Sequence, residues 1–222
     1  LARVKERIAL ACGASGRMPS EVSLLPITKT FPVGAAEYAV RAGCHSVGES
    51  RVQEAVAKMQ DAPPSLQWEL VGHLQSNKVK LAAGRFACIQ SVDSLKLLRR
   101  LDAAMDQREG SQRVLLQVNT GRDPNKFGVI PEGVEALLEE ALALPRIQVD
   151  GFMTIAPLSG DPNPARRAFA SLRELGVSLR ERLGARLDVL SMGMSGDLEA
   201  AVREGSTLVR VGSGLFGERI SP

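Results

Sequence analysis

Val209–Gly217 reads VRVGSGLFG, an apolar run broken by Arg210 and closed by glycines at 212, 214 and 217 in G-x-G-x-x-G spacing. A dinucleotide-binding turn of that spacing needs a helix, a second strand and an acidic residue about 20 positions on. Five residues follow Gly217 in this sequence, so a Rossmann crevice is not the expected use of these glycines. Glycines at a loop and helix start also expose backbone N–H groups, which is how a parallel barrel holds a phosphate after its last two strands.

Working back from this segment, short apolar runs bounded by polar residues or glycine recur along the chain. They span Leu24 to Thr28, Cys44 to Val47, Glu69 to Val71, Phe86 to Ile89, Val114 to Val118, Val149 to Met153 and Asp188 to Leu190, with Thr207 to Val211 as the eighth. Helical spacing fills most of the intervals, as in Val52, Val56 and Met59, or Leu95, Leu98 and Leu101, or Val134, Leu137, Leu138 and Ala141. Eight strands alternating with helices in 222 residues match a closed (β/α)8, or TIM, barrel. An open doubly wound sheet is the alternative, because periodicity does not report closure. Val4, Ile8 and Ala11 place an extra helix ahead of the first strand. No linker or composition shift interrupts the pattern, and residues 1–222 are expected to form one domain.

Composition narrows the function. An apolar fraction of 44% with no run near the ~18 residues of a membrane span argues against a membrane protein. A net charge of +3 spread along the chain, with 4% aromatic residues, gives neither the basic block nor the stacking platform of a nucleic-acid binder. Cys12, Cys44 and Cys88 are odd in number and form no C-x-x-C, and there are two histidines. Neither a disulfide framework nor a histidine-rich zinc site is expected, which places the chain in a reducing cytoplasm. The start, Leu1-Ala2-Arg3, lacks the apolar core of a secretion signal and reads as a trimmed terminus.

In a barrel, chemistry collects where the strands end. Lys29 closes the first run, Glu49 follows the second and His73 the third. Ser91 and Asp93, Asn119, Thr154 and Ser191 close the next four, and Arg210 lies within the last. A lysine against an apolar wall has its neutral form favoured and can attack an aldehyde; a solvated strand-exit lysine is the plain alternative. Ser195, in LSMGMSGDLEAA, reads either as an N-cap with Asp197 and Glu199 in the first turn or as part of a phosphate site with Gly212 and Ser213. Arg210 is either half of an interior salt bridge or a donor to a ring nitrogen or phosphate. Glu49 is either a helix cap or a carboxylate orienting the mouth, and Lys78 and Lys80 are expected on a solvent-facing helix.

These motifs together, ITKT, GESRVQE, WELVGHLQSNK, SVDS, VNTGRDPNKFG, GFMTI, LSMGMSGD and VRVGSGLFG, resemble in order those of the pyridoxal phosphate homeostasis proteins, also called the proline synthase co-transcribed family. The resemblance runs from Leu24 to Gly217. It implies a single barrel like the N-terminal domain of alanine racemase, with pyridoxal 5'-phosphate (PLP) held as an aldimine on Lys29. It further implies phosphate contacts at Ser195, Gly212 and Ser213, and Arg210 beside the pyridine nitrogen; His73, closing the third run, is either a structural hydrogen-bonder or a residue of the cofactor site. An arginine there leaves that nitrogen unprotonated and the ring a weak electron sink. The family's GENY reads Gly48-Glu49-Ser50-Arg51 here, so a contact through its asparagine would be altered, whereas Thr28 before the lysine keeps a hydroxyl.

The resemblance thus implies a cofactor carrier without turnover, serving PLP-dependent apo-enzymes, and a monomer is expected. A racemase needs a second base, and the one tyrosine, Tyr38, is expected on the first barrel helix away from the strand tips. A Schiff-base aldolase acting on a sugar phosphate is the third reading, distinguished by lacking visible absorbance.

Overall fold

The computed structural model describes residues 1–106, 108–157 and 161–217. Eight parallel strands form one sheet in the order β1-β8-β7-β6-β5-β4-β3-β2. They are Ser23–Pro26 (β1), Ser46–Glu49 (β2), Gln67–Leu70 (β3), Cys88–Val92 (β4), Gln112–Gln117 (β5), Ile147–Met153 (β6), Val189–Ser191 (β7) and Leu208–Val211 (β8). The two ends meet through a parallel bridge between Ile27 and Gly48, with the Thr28 N–H donating to the Gly48 carbonyl at 3.0 Å. That contact rolls the sheet into a barrel rather than leaving it open. Gly48 permits the approach, since a Cβ there would lie 2.4 Å from Ile27 Cδ1.

All eight expected strands are present, with shifted limits. β2 begins two residues after the apolar run at Cys44, because the Cys44 N–H donates back to Ala39 at 2.9 Å and so belongs to the helix exit. Phe86 is likewise held to Ala82, which delays β4 to Cys88.

The helices are Ala2–Gly13 (α1), Gly34–Arg41 (α2), Val52–Asp61 (α3), Val79–Ala82 (α4), Leu95–Ala104 (α5), Val134–Leu142 (α6), Asn163–Leu183 (α7), Leu198–Arg203 (α8) and Ser213–Phe216 (α9). The main apolar core lies between strands and helices and contains Trp68, Leu70, Phe152, Phe169 and Leu172. The helix after β8 has only four residues and cannot cover its strand. Val4, Ile8, Ala11 and Cys12 of α1 instead pack with Val209 and Val211 of β8, so the expected extra helix supplies the missing cover. With Val209 and Val211 facing α1, strand alternation turns Arg210 into the barrel. The interior apolar cluster is small, formed by Cys88, Leu115 and Met153.

β6 carries a bulge: Val114 pairs with Val149 but Leu115 with Gly151, leaving Asp150 as the extra residue. Gly151 has φ +151°, and a Cβ there would sit 2.0 Å from the Val189 carbonyl oxygen. Backbone cannot yield as a side-chain tip can. Gly151→Ala is therefore expected to cost about 2 kcal/mol or more, read as a lower urea midpoint with an unchanged slope.

Candidate functional site

The turn that presents Lys29 is fixed at both of its neighbours. Thr28, fully buried, donates from Oγ1 to Glu49 Oε1 at 2.7 Å, and its carbonyl accepts from Lys58 Nζ at 2.9 Å. The Thr30 N–H donates to Glu54 Oε1 at 2.6 Å, and Thr30 holds a positive φ of 67°. Lys58 joins the two sides by donating to Glu49 Oε1 and Glu54 Oε1, each at 2.7 Å. Lys29 is half-buried at the apex, at the C-terminal end of β1. Glu49 is not a helix cap, since Arg51 precedes α3; fully buried beneath the turn, it orients this part of the mouth through Thr28 and Lys58. Burial pushes its carboxyl above the usual carboxylate range, against the pull of its bonds from Lys58 and Thr28. Its Oε2 is buried without a hydrogen bond.

Across the β1–β8 pairing, the loops after β7 and β8 meet. Ser195 Oγ accepts the Gly214 N–H at 3.1 Å and the Ser213 hydroxyl at 3.2 Å, at the start of α9, whose preceding residue is Gly212. The N-cap reading of Ser195 is corrected: α8 begins at Leu198 after Asp197, whose Oδ1 accepts the Met194 N–H and tightens the loop. Ser195 thus ties two loops together instead of opening a helix. Sequence reasoning missed what steadies this loop from behind. Arg7 of α1 donates from Nη2 to the Ser195 carbonyl at 3.0 Å and pairs through Nε with Glu199 at 2.5 Å.

The hydrogen bond from Arg7 holds the Glu199 carboxyl below the usual range. A depressed carboxyl contributes stability above its unfolded pKa and loses it as pH falls through the folded value. Arg7→Ala is accordingly expected to lower stability by about 1 kcal/mol near neutral pH and by less in acid, measured by denaturant unfolding at both pH values.

Arg210 is 4% exposed inside the barrel. The expected alternative of an interior salt bridge is corrected, because its bonds go to neutral groups: Nη1 donates to Ser191 Oγ at 2.7 Å and Nη2 to the Thr154 carbonyl at 2.8 Å. Burial lowers its pKa to about 10, partly opposed by the charge of Asp197. The guanidinium therefore remains a cationic donor at neutral pH. Thr154 is held in turn by donating to the Val118 carbonyl at 2.8 Å.

His73 occupies another sector of the mouth, beyond β2 from Lys29. Its ring stacks on Phe127 with centroids 3.8 Å apart, and Nδ1 lies 3.8 Å from Asp93 Oδ2. None of these contacts joins it to Lys29, Ser195 or Arg210. Tyr38 is on α2 as expected, but the expectation that it lies away from the strand tips is corrected. Its ring meets Phe216 of α9 edge-on at 6.3 Å, and Phe216 meets Phe31 at 5.3 Å, beside the Lys29 turn. Lys78 closes a 3-10 turn, Ser76–Lys78, and is half-buried, whereas Lys80 on α4 is exposed. Lys58 was legible in principle, because it stands four residues after Glu54 on one helix face. Arg7 and Phe127 gave no local signal.

Together these residues offer an amine, two hydroxyls beside a glycine turn, and a buried cationic donor that, among the described residues, has no carboxylate hydrogen-bonded to it. That set suits a small anion carrying an aldehyde and a nitrogen lone pair. Among the described residues no group of histidine, cysteine and acidic side chains could hold a metal ion, and no helix is long and apolar enough to cross a membrane.

Residues 3–220 match the family described as alanine racemase, N-terminal domain. The chain is 42% identical over 220 residues to the pyridoxal phosphate homeostasis protein of Pseudomonas aeruginosa, covering 99% of this chain and 94% of that protein. The solved structure of PipY from Synechococcus elongatus, with PLP bound, superposes with a TM-score of 0.84 at 38% identity, covering 96% of this chain and 100% of PipY. Alanine racemase from Clostridium difficile shares the fold, with a TM-score of 0.79 at 15% identity, and this chain spans 57% of it while being itself 99% covered.

Proposed function

Because this chain belongs to the alanine racemase N-terminal domain family and is related over its full length to pyridoxal phosphate homeostasis proteins, we propose that it binds PLP and holds it in the cytoplasm without turnover, for supply to apo-enzymes. When bound, the cofactor supplies an aldehyde that condenses with an amine, with loss of water, and a ring that can draw electrons from the new bond. Lys29 would provide the amine, steadied by the Thr28–Glu49–Lys58–Glu54–Thr30 bonds on either side of it. Ser195, Gly212 and Ser213 would receive the phosphate where the last two loops meet. His73 would bound the mouth on its far side.

The observation that carries the reading is Arg210. A buried guanidinium that is cationic at neutral pH, and whose hydrogen bonds among the described residues go to neutral acceptors, would donate to a ring nitrogen and could not protonate it as a carboxylic acid would. The ring would then be a poor electron sink, which would favour holding the cofactor over reacting it with amino acids. The free cysteines Cys12, Cys44 and Cys88 suit a reducing compartment.

The test mixes PLP-loaded protein with a PLP-dependent apo-enzyme and follows reactivation, while a parallel assay follows loss of optical activity in L-alanine. Reactivation without racemisation is expected. Racemisation at enzymic rates would replace the carrier by a catalyst.

A further inference from the structure

Arg210 heads a row of hydrogen bonds that crosses the barrel interior. From its Nη1 the row passes to Ser191 Oγ at 2.7 Å, from the Ser191 hydroxyl to Gln90 Oε1 at 2.6 Å, and from Gln90 Nε2 to Glu69 Oε2 at 2.6 Å. The four residues stand on β8, β7, β4 and β3, so the row spans the lumen rather than following one sheet edge. Interiors of such barrels are ordinarily filled by branched apolar side chains. A polar row in their place must have every member satisfied.

Each donor points the same way, from guanidinium to carboxylate, and the direction is set from the Glu69 end. An ionised carboxylate accepts only, so Gln90 must turn its NH2 towards it and its oxygen towards Ser191. Ser191 has one proton, which that oxygen takes, leaving its lone pairs for Arg210. Arg210 is thereby held by Ser191 on one nitrogen and the Thr154 carbonyl on the other. Arg113, whose charge also acts on Glu69, donates to Asp150 at 2.6 Å. Glu69 also lines a cavity of about 530 Å³ at the N-terminal mouth, among Lys5, Cys88, Arg113 and Asp150. That opening gives its carboxylate access to water, while burial raises its pKa above the ordinary carboxylate value against the hydrogen bond from Gln90 and the charge of Arg113.

We propose that Glu69, through Gln90 and Ser191, is the positioning residue that fixes the orientation of Arg210 at the cofactor site. This rests on the reading of that site as one for PLP. Glu69 touches no ligand there. Its effect is carried by the polarity of the row, and any break along the row has the same consequence.

The experiment loads the protein and its Glu69→Leu and Gln90→Leu variants with PLP. It records the visible absorbance maximum and the rate of release into a trap. Both variants are expected to shift the maximum in the same direction and to release the cofactor about three- to tenfold faster. The double variant should be no worse than the more severe single, since residues in one network do not add. Separate packing defects would instead add, and would lower melting temperature without moving the maximum; that pattern overturns the proposal. Should Gln90→Leu fail to fold, Ser191→Ala interrupts the same row. A visible band indifferent to every break overturns this inference alone, whereas an unmodified protein without a band overturns it together with the reading of the site.

Discussion

Lys29→Ala is expected to replace the lysine-aldimine band of the PLP-treated protein by the absorbance of the free aldehyde and to leave circular dichroism and melting temperature nearly unchanged. The band belongs to the conjugated bond between lysine amine and aldehyde, so it disappears with the amine, while phosphate contacts alone leave the cofactor freely exchangeable. The fold should tolerate the change. Lys29 is half-buried on a turn whose shape is set by its neighbours, with Thr28 bonded to Glu49 and Lys58, and Thr30 to Glu54. Removing an aliphatic stem at such a place deletes little core, and surface-like substitutions of this kind stay within about 0.5 kcal/mol. A variant that keeps its band would mean that a different lysine is used. Lys58 is poorly placed for that role, since its amine already donates to three oxygens at 2.7–2.9 Å.

The combined change Ser195→Ala and Ser213→Ala should weaken binding of PLP by about 100-fold and of pyridoxal by less than about threefold. A hydrogen bond to a charged group contributes about 1.5–3 kcal/mol, and a factor of ten corresponds to about 1.4 kcal/mol. Pyridoxal lacks the phosphate and so never draws on the two hydroxyls. Their present partners are each other and the Gly214 N–H, all in exposed surroundings, which keeps the cost to the fold small. Equilibrium dialysis against each ligand separates the outcomes. Equal losses for the two ligands would move the phosphate site away from the β7 and β8 loops.

What could be read from the sequence divides along physical lines. Strand count and barrel class were legible because each strand is a short apolar run and each helix an amphipathic stripe, both local patterns. Closure was not, since it depends on one approach between Ile27 and Gly48 that joins the two ends of the sheet. As candidates for the site, Lys29, Ser195, Gly212, Ser213 and Arg210 were picked out from strand-end position and glycine spacing, with roles implied by resemblance. Their supporting partners were hidden, because Arg7 reaches Ser195 and Glu199 across some 190 residues and Gln90 reaches Ser191 across 101. The cap alternative for Ser195 and the expectation that Tyr38 is remote were inferred from neighbours in sequence, whereas each residue is engaged by the α9 segment, brought alongside by closure of the barrel.

Lys29 is proposed to hold PLP covalently. Borohydride reduction of the loaded protein, followed by mass spectrometric mapping of its peptides, tests it most directly. The account predicts loss of the visible band and one stable pyridoxyl adduct, on the peptide containing Ile27-Thr28-Lys29-Thr30. An adduct on another lysine, or none at all from a protein saturated with PLP, would contradict it.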